Sequence, residues 1–273
     1  MKGGSRRKGE QASKGKETLT RHSARQKIAL RADSTRGKFM RDLVDSILGV
    51  VGTEGRIIAI DGVDGSGKTF FAANLAAEIH HRPVITIHAD NFLNPSSVRH
   101  ARGRHSPIGF WRDTYDYSAL HKYVLTPLGP DGDGRYSPAS YDPATDQPTV
   151  AAFLQAPPDA LVLVEGMFLH RDELVTSWDA SVYLDVPFAV TAARMAARNG
   201  TSRDPEHPTM RRYVHGQRLY FEAARPWERA TFVIDNRDFT VPDVVRSVTP
   251  PTGPGDPLPG ATGVQLSSSE HSG

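Results

Sequence analysis

The sequence predicts an α/β fold in which a parallel sheet is covered by helices on both faces. Three observations carry this expectation. Short apolar runs recur at 56–61 (RIIAID), 84–88 (VITIH), 160–165 (ALVLVE), 181–185 (SVYLD) and 231–235 (TFVID). Stretches with helical spacing lie between them, and a strand apolar on both sides must be buried on both sides. A glycine-rich turn joins the first run directly to a helical stretch.

The elements follow in order. Residues 1–33 alternate Lys, Arg, Ser, Gly and Thr with almost no apolar residue before Ile28, so they are expected to stay disordered. The first 40 residues hold twelve basic and three acidic side chains, +9, which leaves −7 for the rest of a chain whose total is +2. The folded domain is expected over 34–246. It opens with Phe39, Met40, Leu43, Val44, Ile47 and Leu48 on one helical face, capped by Ser34 or Thr35 and ended by Gly49. Helices are predicted over 68–80, 118–125, 187–199 (stopped by Asn199-Gly200) and 210–224. Residues 247–273, rich in Pro, Gly and Ser, form a second disordered tail.

Gly62-Val63-Asp64-Gly65-Ser66-Gly67-Lys68-Thr69 fits Gly-x-x-x-x-Gly-Lys-Ser/Thr, the Walker A pattern, between a predicted strand and a predicted helix. Glycines permit the tight turn that aims backbone N–H groups at phosphate oxygens, and the helix N-terminus adds positive potential. Lys68 would reach the β- and γ-phosphates, and the Thr69 hydroxyl would ligate Mg²⁺. Beyond Lys38 the chain has two lysines, Lys68 and Lys122, and every other basic position is Arg. Lysine thus stands where a compact point charge is wanted. No Asn-Lys-x-Asp guanine motif is present, and the domain is small for a motor or helicase, which leaves a small-molecule phosphotransferase.

Such a transfer needs an oriented hydroxyl, a carboxylate beside it and cations over the developing charge. Open α/β sheets bind ligands at the carboxyl ends of their strands. Asp90 lies just past VITIH, and Glu165 ends ALVLVE. Arg194 and Arg198 share one helix face, and with Arg203, Arg211 and Arg212 they make an arginine-rich segment, a lid over about 194–212. The long segment 91–160 is the candidate substrate insertion. Trp111, Tyr115, Tyr117, Tyr136 and Tyr141 supply flat rings there, and Asp116 and Asp142 supply acceptors for ribose hydroxyls.

These residues resemble the uridine kinase and phosphoribulokinase branch of P-loop kinases, from about Arg56 to Asn236. DGVDGSGKT is similar to that family's phosphate loop, and ADNF, with Asp90, to its Asp-Ser-Phe-Tyr acceptor motif. TYDYSAL resembles its Asn-Phe-Asp-His-Pro segment, which places Tyr115 and Asp116 beside the nucleoside. SYD resembles its Tyr-Asp segment, making Tyr141 a neighbour of the base. LVLVEG resembles the strand whose Glu, here Glu165, lies near the metal, and YLDVPFAVTAARMAAR the strand and lid helix carrying Arg194 and Arg198. The family's Tyr is Leu93 here, and its His is Asp146; both changes touch nucleoside recognition.

The resemblance implies a P-loop nucleoside-kinase-like three-layer α/β fold, with a five-stranded parallel sheet, a small substrate-binding β insertion and an Arg-containing lid. It implies ATP and Mg²⁺ as cofactors, and the 5′-hydroxyl of uridine or cytidine as acceptor. Pantothenate or a sugar phosphate is the alternative acceptor. A nucleotide-binding module whose basic arm engages nucleic acid is a reading of another class, and the acidic body makes nucleic acid a poor main partner. Without cysteine there are no disulfides, thiolate metal sites or thiol nucleophiles. The N-terminus has no apolar signal core and no apolar run reaches membrane-span length, so a cytoplasmic protein is expected. Oligomeric state, a homo-oligomer included, is left open. His80, His81 and His121 read as helix-surface groups.

Overall fold

The computed structural model describes residues 35–247. Helix α1, residues 35–51, opens the domain. It runs through Gly49 and ends at Gly52, which takes φ 64° and donates its N–H to the Leu48 carbonyl at 2.9 Å. Gly49 does not end the helix because the left-handed turn falls three residues later. Of the two expected caps, Ser34 lies outside the described residues and Thr35 is already helical.

Strand β1 (Ile57–Gly62) leads through the glycine loop into α2 (Lys68–Glu78) and β2 (Val84–His88). The segment expected to carry an insertion then holds a 3₁₀ turn (Ala89–Phe92), α3 (Ser96–Arg99) and α4 (Pro107–Asp113). Next, α5 (Tyr117–Leu120) continues through a π-helical turn (His121–Leu125) into α6 (Thr126–Leu128). Two small antiparallel pairs follow: β3 (Arg135–Tyr136) with β6 (Leu154–Gln155), and β4 (Tyr141–Asp142) with β5 (Gln147–Pro148). The chain returns to the main sheet with β7 (Leu161–Gly166) and β8 (Ala180–Asp185). It ends in α7 (Phe188–Asn199), α8 (Arg211–Ala224), α9 (Pro226–Arg229), β9 (Phe232–Asp235) and β10 (Asp243–Ser247).

The sheet order is β10-β9-β8-β1-β7-β2, with β2, β7, β1, β8 and β9 parallel. It has one strand more than expected, because β10 pairs antiparallel with β9. The sequence DVVRS lacks the fully apolar character of the others, and all five of its residues are exposed at the sheet edge. Burial explains the other strands. Along β1, Ile57 and Ala59 face the core layer that contains Phe92, Phe110, Leu120 and Phe168, while Ile58 and Ile60 face the layer that contains Ile47, Phe71 and Leu75. Every residue of β1 and of β7 is buried. Two cores on a two-faced sheet therefore demand uninterrupted apolar strands.

Register then sets the rim. Asp61 lies beside Gly166, Gly62 beside Leu184, and His88 beside Glu165, so the carboxyl ends of β1, β2, β7 and β8 open on one edge. Because β7 inserts between β1 and β2, consecutive connections leave in opposite directions there, and a crevice opens at the carboxyl edge.

Candidate active site

The loop after β1 is shaped by its glycines and by what lies against them. Gly65 and Gly67 take φ 78° and 94°. A Cβ on Gly65 would stand 3.0 Å from the Thr191 carbonyl oxygen, and one on Gly67 would stand 2.4 Å from a Phe239 ring carbon. Each therefore needs both the left-handed backbone and the absence of a side chain. Gly67 caps α2 and offers its first amides no side-chain acceptor.

The loop is tied down on several sides. Lys68 Nζ donates to the Gly62 and Val63 carbonyls, 3.0 Å each. Asn236 Nδ2 donates to the Ser66 carbonyl at 2.8 Å, and Gln217 Oε1 accepts from the Asp64 amide at 2.8 Å. Arg194 donates to the carbonyls of Gly65 and Ser66 (3.3 Å each) and of Asn236 and Arg237 (2.9 Å each). Its guanidinium stacks 3.7 Å from the centre of the Phe239 ring. Burial lowers the Arg194 pKa from its ordinary value. Arg194 is thus anchored in the loop's framework, whereas Arg198 is exposed and reaches Asp64 at 3.8 Å.

Below the loop lies a sealed polar network. Asp61 Oδ1 accepts from the Gly62 amide at 2.6 Å. Its Oδ2 accepts from the Leu169 amide (3.0 Å) and the Tyr220 hydroxyl, and is 2.8 Å from His170 Nδ1. His170 Nε2 stands 2.9 Å from Ser181 Oγ. Burial alone would raise the Asp61 pKa; hydrogen bonds from His170, Tyr220 and Gly62, and the charge of His170, outweigh it and leave the pKa lowered. The Ser181–His170–Asp61 string has the order of a hydrolytic relay. All three side chains are buried, however, so no substrate reaches the serine, and the string serves to fix the base of the loop.

At the rim, Glu165 Oε1 accepts from the Thr69 hydroxyl at 3.0 Å and lies 2.7 Å from His88 Nδ1. Tyr115 donates its hydroxyl to Asp90 Oδ1 at 2.7 Å. Burial, then the Asp90 carboxylate, pushes the Tyr115 pKa well above its ordinary value, so the phenol stays a donor.

Two cavities open here. One of about 240 Å³ is lined by Asp64, Gly65 and residues 67–70 of the phosphate loop and α2, with Glu165 and Gly166. The other, of about 570 Å³, is lined by Leu93, Phe110, Tyr213 and several arginines and histidines. Asp64, Asp90, Met167 and Arg198 line both.

Sequence reasoning therefore meets the structure unevenly. Lys68, Thr69, Asp90, Glu165 and Arg198 converge on the smaller cavity, and Arg194 lines neither. The rings expected to stack on a base do not line the larger cavity. Trp111 packs on Phe168 and Tyr220, and Tyr115, Tyr117, Tyr136 and Tyr141 belong to no part of its wall. Asp116 accepts from the Ala119 amide at 2.9 Å as the cap of α5. Tyr141 donates to Asp146 at 2.7 Å. Asp146 is held well below the usual carboxylate range by hydrogen bonds from Ser96 and Tyr141.

Residues missed by the sequence reading include His88, Gln217, Arg99 and Arg104. A signal existed for the last two: from Asn91 to Arg112 the chain has four arginines, two histidines and no acid.

The residues present suit a nucleotide with its metal. The loop leaves no room for a Cβ at Gly65 or Gly67, the Ser66 hydroxyl is buried without a hydrogen-bond partner, and two hard oxygen donors, Thr69 and Glu165, stand together. Among the described residues no group of three or more His, Cys, Asp or Glu could hold a metal by itself. A Mg²⁺ ion completed by phosphate oxygens needs only one or two protein ligands.

No family model matches the sequence. Solved structures do resemble it. A candidate uridine kinase from Bacillus stearothermophilus is 23% identical with a TM-score of 0.56, over 72% of this chain and 96% of that one. A candidate fructose transport system kinase from Silicibacter sp. TM1040 is 22% identical with a TM-score of 0.54, over 68% and 95%. The D-glycerate 3-kinase of Cryptococcus neoformans is 12% identical with a TM-score of 0.52, over 76% and 99%. At such identities the likeness is one of architecture: the chain shares the α/β fold of these solved structures.

Proposed function

We propose that the chain is an ATP- and Mg²⁺-dependent phosphotransferase acting on a hydroxyl group of a small molecule. The observation that carries this reading is the junction of the two cavities at Asp90, with the phosphate loop on one side and a roomier chamber on the other. Loop amides from Gly62 to Gly67 and the Lys68 ammonium would hold the triphosphate. Mg²⁺, held by Thr69 and Glu165, would neutralise charge on the phosphate oxygens.

Asp90 has one oxygen engaged by Tyr115, which leaves the other to accept the acceptor's O–H proton. The acceptor oxygen forms its bond to the γ-phosphorus as the bond from that phosphorus to the β,γ-bridging oxygen breaks, and ADP leaves. Arg198, at the wall of both cavities, would offset the transferring charge. Arg194 would contribute by holding the loop. Residues 91–160 would form the acceptor side and 194–212 the lid. No described helix is long and apolar enough to cross a membrane. The proposed location is the cytoplasm, where ATP is available.

For the acceptor, the sequence favours the 5′-hydroxyl of uridine or cytidine. The placement of Tyr115, Asp116 and Tyr141 away from the chamber wall favours a different small acceptor, such as pantothenate or a sugar phosphate. The test is ADP formation from Mg-ATP with a panel of nucleosides, pantothenate and sugar phosphates. Acceptor-dependent ADP formation with at least one member is expected. Absence of both turnover and ATP binding would overturn the reading.

A further inference from the structure

The larger chamber has an unusual charge. Its wall carries Arg99, Arg104, Arg198 and Arg212 against two carboxylates, Asp64 and Asp90. Arg198 faces Asp64 and belongs to the nucleotide side. The other three come together from α3, the loop after it and the first turn of α8.

Arg212 is 9% exposed and forms no ion pair among the described residues. Its guanidinium donates to the backbone carbonyls of Arg104 and, at 3.5 Å, Arg99. Arg104 is exposed, and no carboxylate of the described residues pairs with it. Arg99 has Asp146 at 3.3 Å, but that carboxylate is already shared by Ser96 and Tyr141. Burial, followed by repulsion from Arg99 and Arg104, lowers the Arg212 pKa, with Tyr213 offsetting part of the effect.

A buried guanidinium without a counter-charge is costly, and two more beside it add repulsion. Its contacts with the Arg104 and Arg99 carbonyls use its donors but bring no negative charge, and its neighbours Phe110 and Tyr213 bring none either. The cluster becomes favourable when a ligand brings the missing negative charge, and guanidinium forks fit phosphate and carboxylate oxygens.

We propose that Arg99, Arg104 and Arg212 form an anion subsite, so that the molecule phosphorylated carries a phosphate or carboxylate in addition to its reacting hydroxyl. The role as acceptor subsite rests on the phosphotransfer reading; the anion site itself does not. The anion binds at the arginine end of the chamber while the hydroxyl lies at Asp90, so the subsite both selects the acceptor and orients it. An uncharged nucleoside leaves Arg104 and Arg212 unmatched and is a poor substrate.

Two measurements test this. The first titrates inorganic phosphate into the full chain, with the phosphate loop saturated by a non-hydrolysable ATP analogue, and again into Lys68→Ala. Binding is expected in both, weakened about tenfold or more by Arg104→Ala, a surface change that spares folding, and by Arg212→Met. Undiminished phosphate binding in both arginine variants, or none in the wild type, overturns the subsite.

The second compares kcat/KM within matched pairs: ribose 5-phosphate against ribose, glycerate against glycerol, pantothenate against panthenol. The charged member should lead its pair by about tenfold or more. The phosphate and carboxylate pairs show which anion is taken. In Arg104→Ala that lead should shrink through KM, with kcat little changed. Neutral members or uridine turning over as well as charged ones would refute the proposal while leaving phosphotransfer intact. If nothing turns over and no ATP analogue binds, phosphotransfer fails, and the phosphate titration in Lys68→Ala still decides the anion site.

Discussion

The two sides of the crevice are built by opposite means. On the nucleotide side, one stretch of eight residues forms the cradle, and partners from α7, α8 and the loop after β9 tie its carbonyls and amides in place. On the acceptor side no local motif exists. Arg212 donates to Arg104 and Arg99, 108 and 113 residues away in sequence, and the resulting positive charge has little protein counterpart. The first side is fixed by protein partners while the Ser66 hydroxyl and the first amides of α2 stay open to a ligand; on the second, Arg104 and Arg212 lack a protein counter-charge. In the proposed reaction, phosphate recognition by backbone would be general, and recognition by an uncompensated side-chain cluster would be selective.

This contrast can be broken at several points. The largest expected effect is at the junction. Asp90→Asn should lower kcat by about 10²–10⁴-fold with ATP affinity kept, in steady-state kinetics with the best acceptor. A rate near that of the wild type would remove Asp90 from the reaction.

Next comes the floor of the nucleotide side. Asp61→Asn leaves the buried partners of Oδ1 and Oδ2 facing an amide, and should cost about 3–5 kcal/mol in chemical denaturation at pH 7. Because the folded-state pKa of Asp61 is lowered, its contribution is present above the unfolded-state value of about 4 and is lost as pH falls through the folded value. The stability gap between wild type and variant should hold from neutral pH to about 5 and narrow below about 4. A gap that widens in acid would contradict the network.

Lys68→Ala should cost about 1.5–3 kcal/mol of transition-state stabilisation, roughly ten- to hundredfold in kcat/KM. An unaltered ATP affinity and rate would count against the loop.

The smallest effects separate two arginines that sequence alone places together. Arg194→Ala removes donors from four backbone carbonyls and should destabilise the fold by about 1–2 kcal/mol. Arg198→Ala should change stability by less than about 0.5 kcal/mol, because its reach to Asp64 is long and exposed, while still slowing turnover. Equal melting temperatures for the two variants would show that the structural distinction is false.

Legibility in the sequence followed the same division. The five parallel strands and the phosphate loop could be read because their causes are local: continuous apolar runs for strands buried on both faces, and glycines where φ is positive. The edge strand β10 was missed because an exposed strand leaves no burial pattern in DVVRS. Gly49 misled because a glycine on a helix face leaves the same mark as one at its end, and only the backbone angle at Gly52 tells them apart. The places of Asp90 and Glu165 at the cavity wall follow from the strand ends at which they stand.

Aromatic rings gave no such guide. Tyr115 and Trp111 could equally have lined a pocket or filled a core; the structure buries Tyr115 in the core layer behind the sheet and packs Trp111, half-buried, against it. The meeting of Arg99, Arg104 and Arg212 depends on how α8 packs on α4, which no local pattern records. The acid-free run from Asn91 to Arg112 was the one visible trace of it.

The most direct test of the central claim, that phosphoryl transfer occurs where the two cavities meet, is ³¹P NMR of the full chain with Mg-ATP and a mixture of charged and neutral acceptors. The account predicts loss of the ATP γ-phosphate signal matched by growth of ADP and a new phosphomonoester, with no gain of inorganic phosphate. Inorganic phosphate as the only new product, or an unchanged ATP spectrum, would contradict it.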